Sequence, residues 1–439
     1  MSRAWYTVLL ALLAGPLWAV MRWRAWRTRT EWAVWSAERF GRRAPHVPRL
    51  ARAPVWVHAV SVGETRAAAP LIHALLAQGE CVLLTHTTPT GRQTGQALYA
   101  KAIEQGRLQQ AWMPYDFAGC WRRFLAGYAP RLGVLIEREV WPNMVAACRT
   151  AGVPMALVSA RLSARGAARS SRLGRVLREA YGALDVVCAQ SEDDASRLRA
   201  VGCRHVVVCG NLKFDVLLDA AQIQAGRAWR EALGRPVIVL ASTREGEDRE
   251  LIRAVQNVLQ GEAGAASPLI VWVPRHAPRF DDVAASVAQA GLSIERRSHL
   301  GTAWPAPSTR VYLGDTLGEM AFYYGAADVA VIGGSFAPLG AQNFIEACSA
   351  GVPVILGPSV YNFQEAARDA LAQGLVVQVT DAQAALAQAG TWVLDPAHRA
   401  QFATRAQVWL GQHVGATSRI LAHLPWPPSA CARTQIAAD

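Results

Sequence analysis

At 439 residues the chain is long enough for two or three domains with sizeable cores. Hydrophobic residues make up 52% and charged ones 18%, which excludes both an intrinsically disordered chain and a polytopic membrane protein. The formal charge of +12 calls for anionic partners, and because only Lys101 and Lys213 are lysines the excess is guanidinium, a group that suits phosphate and carboxylate.

The first segment, "AWYTVLLALLAGPLWAVM" (residues 4–21), is an uncharged apolar run of 18, just long enough to span a bilayer. One arginine precedes it and four follow in "RWRAWRTRT", which puts the rest of the chain on the cytoplasmic side. A cleaved signal peptide would carry its charge ahead of the apolar run, so this segment stays attached. Gly15 and Pro16 weaken a straight spanning helix. An interfacial anchor, with Trp and Arg at headgroup level, is the alternative.

"VWVHAV" (55–60) reads as a buried strand, and Ser61-Val62-Gly63-Glu64 fits the S-x-x-E capping box. Pro70 would fall inside a helix begun at Ser61, so a start nearer Ala67 or Ala68 is expected. Gly63 and Glu64 then belong to the loop beyond the strand's carboxyl end, where open α/β sheets place ligands. Capping and chemistry both remain open for Glu64.

Further strands are expected at 81–87, 131–137, 154–160, 184–190 and 205–210, then, after a polar helical stretch at 216–235, at 236–242, 269–274, 309–315, 329–334 and 353–358. Continuous rather than alternating apolar strands, with helical windows between, signal parallel sheets covered on both faces. The prediction is α/β with two doubly wound domains facing a cleft. A membrane anchor and basic segment occupies 1–30, the domains 31–225 and 226–425, and a frayed tail 426–439. The cysteines form no C-x-x-C pair, which indicates a reducing compartment and no structural zinc.

Polar residues punctuate the strand ends. "LIEREVWPNM" puts Glu137 and Glu139 at the end of one strand, either poised for charge work or paired with Arg138 or Arg161. "GNLKFD" supplies Lys213, and "ARLSAR" adds Arg161 and Arg165 for anion contacts or a solvated helix face. In the second series Arg275 and His276 end one strand, and Gly318 and Glu319 follow the next. The glycine-rich turn "VIGGSFAPLGAQNFIEA" offers Gly333, Gly334 and Gly340 for close amide approach to phosphate, with Asn343 and Glu346 placed for ribose hydroxyls. This pattern describes a nucleotide site. A dinucleotide or P-loop site is excluded, because neither G-x-G-x-x-G nor a Walker motif occurs.

The strings "HAVSVGET", "TPTGR", "EREVWPN", "ARLSAR", "NLKFD", "ASTREGE", "VPRHAPRF", "GDTLGEM", "GGSFAPLGAQNFIEA" and "GPSVYNF" run in the order of the 3-deoxy-D-manno-octulosonic acid (Kdo) transferases of lipopolysaccharide biosynthesis, which the chain resembles over residues 1–365. The resemblance implies a GT-B fold of two Rossmann-like domains, with acceptor on the N-terminal half and CMP-Kdo on the C-terminal half. It implies an inverting enzyme on the cytoplasmic face of the inner membrane that moves Kdo from CMP-Kdo to a lipid A precursor (lipid IVA), beside membrane phospholipid and without metal or other cofactor. Carried over by position, Glu64 resembles the general base, and Glu137 and Lys213 the transition-state stabilisers. Pro274, Arg275, Leu317, Gly318, Glu319, Asn343, Phe344, Ile345 and Glu346 match the CMP-contacting segments. The family's usual His-Asn-Pro-Leu-Glu is here Gln342-Asn343-Phe344-Ile345-Glu346.

Two alternatives make different predictions. A membrane-docked nucleotide- or lipid-binding protein would bind CMP-Kdo without releasing CMP, and a GT-B transferase for another nucleotide sugar would be inhibited by a different nucleotide. A nucleic-acid binder is the least favoured reading, since the basic residues are dispersed and no recognition motif is present.

Overall fold

The computed structural model describes residues 1–28, 32–44, 47–164, 166–168, 174–259, 267–301 and 303–427. Arg165, and the tail from residue 428, lie outside the described residues. The chain divides into two units, Met1–Val216 with His413–Asp439, and Leu217–Gln412.

The first unit is built on a parallel sheet of seven described strands: β1 Val55–His58, β2 Val82–His86, β3 Leu108–Trp112, β4 Leu132–Ile136, β5 Met155–Ala160, β6 Val186–Ala189 and β7 Val206–Val208, in the order β3-β2-β1-β4-β5-β6-β7. Successive residues of β1 feed opposite faces. Trp56 packs with Trp121 and Phe124, whereas Val55 and Val57 pack with Leu71, Ile72 and Leu75. Burial on both faces is why the strand is apolar throughout, each large side chain contributing roughly 1.5–3 kcal/mol. The second unit repeats the plan with β8 Val237–Thr243, β9 Leu269–Pro274, β10 Ile294–Arg296, β11 Val311–Leu313, β12 Val329–Ile332, β13 Val354–Leu356 and β14 Val376–Gln378, ordered β10-β11-β9-β8-β12-β13-β14. In each sheet the first strand lies inside and the order reverses beside it, the topological switch point at which doubly wound sheets bind ligands.

The sequence-predicted strands all appear. Three more, β3, β10 and β14, were not expected, and each is a sheet edge. The C-terminal helix Ala416–His423 belongs to the first unit. Its Ile420 is buried beside Leu71 and Leu75, and Asp215 accepts from the amides of Gly415 at 2.7 Å and Thr417 at 2.6 Å.

The N-terminal helix Arg3–Thr28 is long and apolar enough to cross a membrane. One stripe of it rests on the first unit. Tyr6 donates to Asp116 at 2.9 Å, Thr7 and Asn143 exchange side-chain hydrogen bonds, and Trp18 packs against Trp35, Phe40 and Tyr115. The opposite side exposes Trp5, Leu9, Leu12, Val20 and Trp23.

Candidate active site

Glu64 lies one turn beyond β1. Contrary to the expected helix start near Ala67, a short helix Val62–Ala67 begins directly after Ser61, whose hydroxyl accepts from the Glu64 amide at 3.5 Å. Pro70 divides the segment instead of excluding it, standing in the first turn of a second helix, Ala69–Ala77, where its missing N–H costs little. Glu64 therefore belongs to a capping box, and its Oε2 accepts from the Val60 amide at 2.7 Å. Among the described residues Oε1 has no hydrogen-bond partner. Burial pushes the Glu64 carboxyl up to about 8, the neighbouring Glu137 pushes in the same direction, and the Val60 amide and Lys213 oppose them.

Glu137 follows β4, the strand next to β1. It holds a left-handed backbone (φ 61°), which costs a side-chain-bearing residue roughly 1 kcal/mol. The carboxylate is buried between two cations, Lys213 Nζ on Oε1 at 2.8 Å and Arg161 Nε on Oε2 at 2.8 Å. Burial alone would raise its pKa, but Lys213 and then Arg161 outweigh it and hold the group at about 2. Lys213 arrives on the turn Leu212–Asp215 after β7, capped by Asn211, whose Oδ1 accepts from the Lys213 amide at 3.0 Å. That turn packs on the helices Val62–Ala67 and Ala69–Ala77. Glu64, Glu137 and Lys213, distant in sequence, are thus gathered at one end of the first sheet. Arg161 joins them, so the pairing of Glu137 with Arg161 that the sequence allowed is present. Glu139 lies outside this trio, its Oε2 accepting from Trp141 Nε1 at 3.0 Å, with burial raising its pKa.

In the second unit the three predicted segments follow β9, β11 and β12, all at the carboxyl edge of one sheet. Pro274 ends β9, and the Arg275 amide donates to the Thr243 carbonyl at 3.0 Å. Leu317 is 72% exposed, and Gly318 takes φ 86°, a conformation that favours glycine. Glu319 is committed: both its oxygens bind the Arg297 guanidinium, at 2.9 and 3.2 Å, and Thr316 donates to it as well. Burial would raise its pKa, but Arg297 and Thr316 together hold it below the ordinary carboxylate value. Asn343 donates to Glu346 Oε1 at 2.9 Å, fixing that carboxylate. Phe344 and Ile345 turn inward. Phe344 is fully buried against Phe363 and Trp409, so these two residues leave only their backbone for a ligand.

The glycine turn differs from expectation. The amide of Gly334 does not await a phosphate; it donates at 2.8 Å to Glu247, which also accepts from Arg244 at 2.8 Å, Phe336 at 3.0 Å and Ala337 at 3.4 Å. An internal carboxylate fills the nest that sequence reasoning assigned to a ligand. Glu247 lies 87–90 residues before three of these amides, so no local spacing announced it. The available sign was positional, since "ASTREGE" places a Glu just beyond the first strand of its unit, as "HAVSVGET" does.

Among the described residues no group of three or more His, Cys, Asp or Glu side chains is placed to hold a metal ion.

Two doubly wound units with strand-end sites define a GT-B glycosyltransferase fold, and comparison with known proteins agrees. The UDP-GlcNAc 2-epimerase of Neisseria meningitidis, solved with UDP-GlcNAc, superposes with a TM-score of 0.55 over 84% of this chain and 98% of its own, at 12% identity, a likeness of fold alone. The profile described as 3-Deoxy-D-manno-octulosonic-acid transferase (kdotransferase) matches residues 35–216, and that of Glycosyl transferases group 1 matches 306–409. The 3-deoxy-D-manno-octulosonic acid transferase of Bordetella pertussis is 53% identical over 96% of this chain and 98% of its own length. That of Haemophilus influenzae is 29% identical over 84% and 85%. The chain belongs to the 3-deoxy-D-manno-octulosonic acid transferase family.

Proposed function

We propose that the chain transfers Kdo from CMP-Kdo to a lipid A precursor, lipid IVA, inverting the anomeric centre in one displacement and releasing CMP. Glu64 is the general base. A sugar hydroxyl is a poor nucleophile at neutral pH, and an acceptor oxygen placed within reach of Oε1 passes its proton to the carboxylate as it bonds to the anomeric carbon. The bond from that carbon to the phosphate oxygen breaks in the same step, and its electron pair leaves with CMP. Glu137, Lys213 and Arg161 form a cluster with one surplus positive charge, which stabilises the departing phosphate. Pro274, Arg275, Leu317, Gly318, Glu319, Asn343, Phe344, Ile345 and Glu346 contribute to the CMP-Kdo site, with Glu319 bracing its loop and Glu346 facing the ribose. The anchor holds the enzyme at the cytoplasmic face of the inner membrane, where a phosphorylated, acylated acceptor lies.

The observation that carries this reading is the Glu64 carboxyl just beyond β1, with one oxygen held by the Val60 amide, gathered at one end of the sheet with the Glu137–Lys213–Arg161 cluster. Its test is turnover of CMP-Kdo with tetraacylated lipid A precursor by the purified protein, with products resolved by mass. The expected result is a Kdo-bearing lipid together with free CMP. Binding of CMP-Kdo with no CMP release would reject transfer in favour of a binding protein.

A further inference from the structure

We propose that a cavity in the first unit, beside the N-terminal helix, is a binding site for the phosphate headgroup of a bilayer lipid. The cavity, of about 800 Å³, is lined by Arg3, Arg149, Arg178 and Arg204 and by none of Glu64, Glu137 or Lys213. Each arginine comes from a different place: the N-terminal helix, the end of helix Pro142–Thr150, helix Arg175–Gly182, and the turn before β7. Among the described residues none of the four has an ion-pair partner. The acid on the wall, Glu179, is engaged by Arg175 at 2.5 Å.

The four arginines, all exposed, put four positive charges around one concavity. The C-terminal dipole of helix Pro142–Thr150 accounts for Arg149 in its last turn, but not for the other three. A phosphate, with up to two negative charges and several acceptor oxygens, suits planar donor forks converging from different sides. The site is also shaped in advance. Gly202 takes φ 116°, and a Cβ there would meet Arg178 Cγ at 2.8 Å, so the glycine lets the Arg178 stem lie against the turn.

A lipid is favoured over a free anion because Arg3, on the rim, opens a helix long and apolar enough to cross a membrane, one that exposes Trp5, Leu9 and Leu12. Thr7 and Asn143 bind that helix to helix Pro142–Thr150, one side of the cavity. The cationic cavity therefore adjoins the start of an apolar helix, a combination matched to a molecule that carries both chains and phosphate.

The test uses the full-length protein with vesicles of phosphatidylcholine, with and without phosphatidic acid. Partition onto the phosphatidic acid vesicles is expected to fall about fivefold for each arginine removed in R149A, R178A and R204A. Binding to phosphatidylcholine alone is expected to remain. R178K, which keeps stem and charge, is expected to retain most of the affinity and separates the site from a folding defect. Unchanged partition of the triple alanine variant would overturn the proposal. So would stabilisation of the wild type, and not the triple variant, by inorganic phosphate with vesicle binding unaltered, which would mark a free-anion site. A raised KM for the acceptor lipid with unaltered partition would equally overturn it. Vesicle binding requires no sugar donor, so failure of the transferase reading leaves this outcome legible.

Discussion

Glu64 and Glu247 hold equivalent places, each just beyond the first strand of its unit, and their surroundings give them opposite characters. Glu247 receives four backbone amides and is spent on holding its loop. Glu64 receives one, and its carboxyl titrates near 8. Only the carboxylate takes a proton, so kcat/KM is expected to rise about tenfold per pH unit up to about 8 and then level, as a pH-rate series on saturating donor will read. Gln mimics the protonated form and keeps an acceptor for the Val60 amide. E64Q should therefore lose about a hundredfold to ten-thousandfold in kcat while its melting temperature at neutral pH is no lower than that of the wild type. The linkage sign follows from the raised folded-state pKa: wild-type stability declines as pH rises from about 4.5 to about 8 and then levels, and E64Q should lack that decline. Glu137 acts on the same group. E137Q removes the neighbouring negative charge and frees Lys213, so Glu64 becomes easier to ionise. The acid limb of the rate profile should move to lower pH even as the plateau falls, whereas a limb fixed in place would show that the two carboxyls do not interact.

At the scale of elements, interior strands were legible, whereas of the four sheet edges only β7, an unbroken Val206–Val208 run, was. Strands such as β1 and β8, flanked on both sides and covered on both faces, must be apolar at every position, and they were read as such. An edge strand has one neighbour and lighter cover. β3 carries Gln109 and Gln110, β10 is half-buried, and β14 ends exposed, so the sequence pattern there resembles a loop. The site divides the same way. Glu64, Glu137 and Lys213 were legible because a charged residue ending an apolar run is conspicuous, whereas the partners each would find depended on chain folding back from far away. Glu247 is the clearest case, since its acceptors' use appears only once β8 and β12 are side by side. Removing it tests the turn as a unit. E247A leaves the Gly334, Phe336 and Arg244 amides without an acceptor in a buried place, a cost of about 3 kcal/mol, to be read as a lower urea midpoint by tryptophan fluorescence. E247Q retains one acceptor oxygen and should fall between the two. A midpoint for E247A equal to wild type would mean that the amides find water and that the carboxylate is not what fixes the loop.

At the scale of the whole molecule, the net charge of +12 and the exposed apolar helix describe one amphiphile, and its attachment decides how it meets a bilayer. A spanning helix must leave the body of the protein. Here Tyr6 and Trp18, about 18 Å apart along a helix at 1.5 Å per residue, both rest on the first unit. To span a hydrocarbon core about 30 Å thick, the helix would have to give up the bonds to Asp116 and Asn143, or carry those buried polar groups into lipid. Lying in the interface costs neither, keeps the latch, and buries Trp5, Leu9, Leu12 and Val20 at headgroup depth. The N-terminus is therefore expected on the same side of the membrane as the catalytic units. A cysteine at Ser2, in a chain with Cys431 replaced by serine, reports this directly, because the seven other cysteines are all buried. In inverted inner-membrane vesicles, S2C should react with an impermeant maleimide at once and without detergent, and in intact spheroplasts it should stay unlabelled. The reverse pattern would show that the Tyr6 latch opens in the membrane and the helix crosses it. Y6F, which lacks the hydroxyl that bonds Asp116, is then the variant in which a shift toward crossing should first be detected.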